Sequence, residues 1–167
     1  MAFFINKKYI YLGLLLSLSS FSHANSSHNI YMMTLSIMSY VKWNTPSPSL
    51  CIINNSNIAE LFSKTISQQK SNIKTHSLQA QQLASQKCDA VFFSQTTASM
   101  EQKLIATAYN PPVLSFSTGN TDCEIGSIFC LYSTKSGNTQ FRVNLDSLAK
   151  AKIHIDPRVL LLAQNSE

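Results

Sequence analysis

Apolar positions along this chain change period several times. Ile30, Met33, Ile37 and Tyr40 recur at helical spacing behind Ser26 and Ser27 as caps, and the two prolines of YVKWNTPSPS end that pattern, which predicts a leading amphipathic helix. SLCIIN, residues 49–54, is a short apolar run between turn residues and predicts a buried strand. Asn57 with Glu60 three residues on resembles a capping box, and Ile58, Leu61, Phe62, Thr65 and Ile66 form one helical face behind it. The pattern then repeats. IKTHSL reads as strand, a glutamine-rich stretch near 79–86 as helix and CDAVFFS as strand; a helix follows with Met100, Leu104, Ile105 and Ala108 on one face, and then PVLSFS as strand. Such alternation predicts an α/β fold, a mostly parallel sheet of about six strands with helices on both faces and right-handed crossovers.

From Gly126 the pattern changes. IFCLYST and TQFRVNL are separated by KSGN, which has room for a tight turn but not for a crossover helix, so they are expected to form an antiparallel hairpin. Phe141, Val143 and Leu145 alternate with Arg142 and Asn144, so one face of the second strand is core. Asp146 is positioned to cap a short helix through Lys150. Asp156 followed by Pro157 starts another, because proline lacks only an N–H that would be unpaired there. Val159, Leu160, Leu161, Leu162 and Ala163 make that last helix apolar nearly all round, which requires burial under its own sheet or under a partner.

The N-terminus bears on compartment. Lys7 and Lys8, an apolar run from Tyr9 to Leu18, and Ser22, His23 and Ala24 as a cleavage site read as a secretory signal peptide over residues 1–24. The run is shorter than the roughly 20 residues of a spanning helix. Residues 25–167 then form a single domain, expected outside the cytoplasm and, in a Gram-negative cell, in the periplasm. Cleavage removes two lysines and lowers the net charge from +5 to +3. The remaining basic residues are scattered and not interleaved with aromatics, which argues against nucleic-acid binding.

Compartment in turn decides the cysteines. Cys51, Cys88, Cys123 and Cys130 in an oxidising space imply two disulfides. In a doubly wound sheet of order 2-1-3-4, Cys51 and Cys88 lie near the starts of neighbouring strands and can meet, while Cys123 and Cys130 can close a local loop containing a glycine. Zinc lacks a close CxxC or CxxH spacing, and a catalytic dithiol would need the same motif at a helix N-terminus.

Catalytic signals are weak. SLAK at 147–150 and KSG at 135–137 imitate motifs of penicillin-recognising enzymes in reversed order, and no GxSxG, HExxH, phosphate loop or dinucleotide fingerprint occurs. The chain is therefore read as a non-enzyme needing no cofactor or metal. The predicted strands run out into INNSN, SQTT and STGN, so Asn54, Asn55, Ser94, Thr96, Ser117 and Thr118 ring the carboxyl ends where open α/β sheets bind ligands. Such residues are also ordinary loop and cap formers.

YVKWNTP at the end of the first helix, SLCII, CDAVFFS, PVLSFS and above all FRVNLDSLAKAKIHIDPRVLLLA together resemble the YfiR-like family of periplasmic proteins over about residues 30–163. All four cysteines match, and the resemblance implies the pairs Cys51 with Cys88 and Cys123 with Cys130. It further implies regulation: binding to the periplasmic domain of an inner-membrane diguanylate cyclase, which lowers cyclic di-GMP, and sequestration by an outer-membrane peptidoglycan-binding lipoprotein. Homodimer formation is left open. Tyr40, Trp43 and Arg158 are the candidate partner contacts. The alternative is a periplasmic small-ligand-binding protein that uses the polar strand ends.

Overall fold

The computed structural model describes residues 29–108 and 112–164. The signal peptide assigned to residues 1–24 and the caps assigned to Ser26 and Ser27 lie outside these residues. Six strands form one sheet of order β2-β1-β3-β4-β5-β6. β1 (Ser49–Ile53), β2 (Lys74–Leu78), β3 (Ala90–Phe93), β4 (Leu114–Ser117) and β5 (Phe129–Ser133) run parallel, and β6 (Thr139–Val143) returns antiparallel to β5. The α/β class and the terminal hairpin agree with the expectation. β2 and β6 are the sheet edges.

Period-2 alternation sorts each strand between two cores. Leu50, Ile52, Ala90, Phe92, Leu114 and Phe116 face α1 (Ile30–Ser39) and α2 (Ser56–Gln68), which contribute Met33, Ile37, Met38, Phe62 and Ile66. Tyr31 meets the edge of Phe62, and Phe62 meets Phe92, each with ring centres 5.0 Å apart. On the opposite face Cys51, Ile53, Val91 and Phe93 pack with Leu78, Leu83, Val113 and Ala108. α3 (Ala98–Ala106) lies on this second side.

Several local expectations shift by one or two residues. α1 is capped by Asn29, whose side chain accepts from the Met32 N–H. The Asn55 side chain, not Asn57, caps α2 by accepting from Ile58 N–H at 3.1 Å. Asn144, not Asp146, caps α4 (Leu145–Ala151) by accepting from Ser147 N–H at 2.9 Å. In both places the polar residue that starts the helix is the one left extended at the strand's end, because an N-cap must itself be non-helical. The glutamine-rich stretch makes a 3₁₀ helix, Ala80–Ala84. Asp156 does cap the final turn, a 3₁₀ helix Pro157–Leu160 continued by α5 (Leu161–Gln164).

α3 corrects the expectation most. Met100 is 48% exposed, whereas its neighbour Glu101 is fully buried. Glu101, Leu104, Ile105 and Ala108 stand at i, i+3, i+4 and i+7, so the inward stripe keeps Leu104, Ile105 and Ala108 as expected but begins at Glu101 in place of Met100.

Candidate functional site

Ringing the carboxyl ends of the strands, the polar residues bond mainly to one another and to the backbone. Asn54, in a left-handed conformation, accepts from Ala80 N–H, and the Asn55 amide donates to the Ser94 hydroxyl at 3.1 Å. Thr118 donates to the Ser94 carbonyl at 3.3 Å, and Thr96 lies beneath Gly119, close to the same turn. Thr96 thus joins Asn54, Asn55, Ser94, Ser117 and Thr118 at one end of the sheet. None of these residues lines the cavities described below.

Beside them is a buried acid that the periodicity argument missed. The Ser117 hydroxyl donates to Glu101 Oε1 at 2.5 Å, and the Ser127 hydroxyl and N–H donate to Oε2 at 2.9 and 3.2 Å. The Asn120 amide is 3.4 Å from the same oxygen and donates to the Ile125 carbonyl at 2.7 Å. Ser117 Oγ also accepts from the N–H groups of Gly119 and Asn120, so its own proton is committed to Glu101. Only an acceptor fits at Oε1. Gly126, at φ +85°, completes the nest: a Cβ there would stand 2.8 Å from the Ala98 carbonyl oxygen and 2.9 Å from Glu101 Oε2. The legible signal was a carboxylate on the apolar stripe of α3.

This network moulds the loop closed by Cys123–Cys130, whose first cysteine sits at φ +59° and donates its N–H to the Asn120 side chain. The other disulfide, Cys51–Cys88, crosses from β1 to the residue pair that opens β3, within the second apolar core. His76 on the neighbouring strand places Nε2 3.5 Å from Cys51 Sγ. Among the described residues no cluster of three His, Cys, Asp or Glu is placed to hold a metal ion.

A second surface lies where the two ends of the domain meet. Val41 and Ile155 form an antiparallel bridge, flanked by hydrogen bonds from Lys42 N–H to the His154 carbonyl and from Asp156 N–H to the Tyr40 carbonyl. Tyr40 and Arg158 therefore line one cleft, of about 360 Å³, with Lys42 and His154. Arg158 folds back on Asp156 at 2.5 Å, and this hydrogen-bonded guanidinium holds the Asp156 carboxyl down at about 2. Trp43 is not part of that cleft. Its indole N–H donates to the Met38 carbonyl at 2.9 Å, and its half-buried ring lines a separate groove against α1.

The apolar C-terminal helix is only partly covered. Val159 is buried, but Leu160 and Leu161 are 53% and 52% exposed, and Leu145 at the start of α4 is 69% exposed. Leu160 and Leu161 are adjacent in sequence, whereas Leu145, like Leu61, Met100 and Ile125, is an exposed apolar side chain on another part of the chain. Sequence periodicity did identify the demand for cover; what it could not show is that the chain's own sheet supplies only part of it.

A third cavity, about 470 Å³, lies between the C-terminal turns of α3 and α4, near the amino ends of β4 and β5. No helix among the described residues is long and apolar enough to cross a membrane. In comparison with known protein families, residues 31–164 match the family model described as YfiR/HmsC-like.

Proposed function

The chain belongs to the YfiR/HmsC-like family, and from that premise we propose that it is a periplasmic regulatory binding protein that represses a membrane-bound diguanylate cyclase. It binds the cyclase's periplasmic sensory domain and so lowers cyclic di-GMP; an outer-membrane peptidoglycan-binding lipoprotein relieves the repression by sequestering it. No catalysis is required of it. A repressor need only bind the inactive cyclase conformation more tightly than the active one, and its removal lets the equilibrium relax. Moving such an equilibrium from 1:99 to 99:1 takes a differential affinity of about 10⁴.

The observations that support this reading best are the uncovered apolar side chains on the helices that close the fold, Leu160 and Leu161 side by side in sequence and Leu145 at the start of α4. Burying such side chains against a partner removes apolar surface from water, at roughly 25 cal/mol per Å². Two disulfides fit an oxidising compartment. The strand-end residues favour the ligand alternative less, since they bond largely to one another and to the backbone.

The test is capture from solubilised inner membranes by the oxidised mature protein, with bound proteins identified by mass spectrometry. A diguanylate cyclase is expected with the wild type and is expected to be lost from the triple variant Leu145→Ser, Leu160→Ser, Leu161→Ser. Recovery of no membrane sensor by the wild type would sink the cyclase assignment.

A further inference from the structure

The cavity between α3 and α4 lies where the second core thins out along β4, beyond Val113. On that face β1 presents Cys51 and Ile53 and β3 presents Val91 and Phe93, but β4 presents Ser115 and Ser117. Ser117 is taken up by Glu101. Ser115 is fully buried and accepts from Ile128 N–H at 3.0 Å, while its own proton has no acceptor among the described residues. A serine where an alternating core calls for a larger apolar residue leaves space above it, and its volume of about 470 Å³ is within the range of small-molecule sites.

The walls have two characters. Ile105, Val113 and Ile128 make one side apolar, and Lys150 and Lys152 stand on the exposed rim. Neither ammonium has a carboxylate partner among the described residues, where Asp156–Arg158 is the ion pair found. Lys152 adopts φ +52° at the end of α4, a left-handed position usually given to glycine. The unusual choice puts a second cation on the same rim as Lys150. We propose that this groove binds a small amphipathic carboxylate, its apolar tail against Ile105, Val113 and Ile128 and its anionic head between Lys150 and Lys152.

Isothermal titration of the oxidised mature protein with octanoate, and with 1-octanol as its uncharged counterpart, tests this without any partner protein, so the outcome is independent of the cyclase reading. Octanoate is expected to bind at about millimolar dissociation constant or tighter, with octanol at least about tenfold weaker. The double variant Lys150→Ala, Lys152→Gly is expected to lose about tenfold or more of the octanoate affinity. Its thermal midpoint should stay at or above that of the wild type, because glycine suits the left-handed position. Ala106→Trp, on the exposed rim of the groove, should abolish binding of both probes while leaving the fold intact. Equal affinity for octanoate and octanol, octanoate binding unaffected by Ala106→Trp, or no octanoate binding at all would each overturn the proposal. In the last case, loss of a captured membrane protein from the Lys150→Ala, Lys152→Gly variant would assign the groove to protein docking instead.

Discussion

Cys51–Cys88 and Cys123–Cys130 close two loops of one sheet in chemically opposite surroundings. The first lies among Ile53, Leu83, Val91 and Phe93, where position is set by packing shared over many atoms. The second closes a loop whose shape depends on one carboxylate: Glu101 receives protons from Ser117 and Ser127, with the Asn120 amide beside it. Apolar packing tolerates changes that keep volume, whereas a buried polar network fails when one member loses its complement. The two halves of the sheet should therefore respond to different kinds of substitution.

The largest contrast is expected from the disulfides themselves. In the chain-entropy view, closing the loop between residues 37 apart in sequence contributes about 4 kcal/mol, and closing the one 7 apart about 2.5 kcal/mol. Cys51→Ala with Cys88→Ala should thus lower the urea midpoint more than Cys123→Ala with Cys130→Ala. The reverse order would mean that the polar loop, not the apolar core, limits stability.

Next comes Glu101. Glu101→Gln preserves size but must turn its NH₂ toward Ser117 Oγ, which has no acceptor site left, or toward the donors at Ser127. A cost of about 2–3 kcal/mol is expected, read by urea unfolding. An equal-sized apolar change in the other half, Ile53→Leu, should cost less than about 1.5 kcal/mol. If the two costs match, the network is not the organising element proposed.

The smallest effect belongs to the exposed Asp156–Arg158 pair beside the Val41–Ile155 bridge. Asp156 has its folded-state pKa depressed to about 2 by the hydrogen-bonded Arg158 guanidinium. Its contribution is fully present above the unfolded value near 3.9 and is lost as pH falls through about 2. Arg158→Gln should return the Asp156 titration, followed by carboxyl NMR, toward 3.8 without a measurable change in thermal midpoint at neutral pH. A clear drop at neutral pH would show that this pair holds the clasp together, which the Val41–Ile155 bridge and its flanking bonds otherwise do.

The strands were legible because burial on both faces of the sheet makes SLCII and AVFF short apolar runs set between turn residues. Topology followed from their alternation with helices. Cap positions were less so, since Asn55 and Asn57, or Asn144 and Asp146, are equally good cap chemistry and only the strand's exact end decides between them. The stripe of α3 was misjudged by one residue because a buried acid breaks the usual link between apolarity and burial. The strand-end residues lie at one end of the sheet, and what they do there depends on where their hydrogen bonds go, which composition does not record.

The bridge between Val41 and Ile155 joins segments 114 residues apart in sequence. The segment after α1 cannot be clasped until residues 154–156 are present, so this contact forms after the strands between them have become available to a chain emerging N-terminus first. Contacts of such long sequence separation slow folding, because the loop must close before the contact rewards it. A chain stalled or cut before residue 155 would keep its strands but lack the latch. Such a chain would hold α1 over the first core with fewer contacts and leave that core more open to local unfolding and proteolysis.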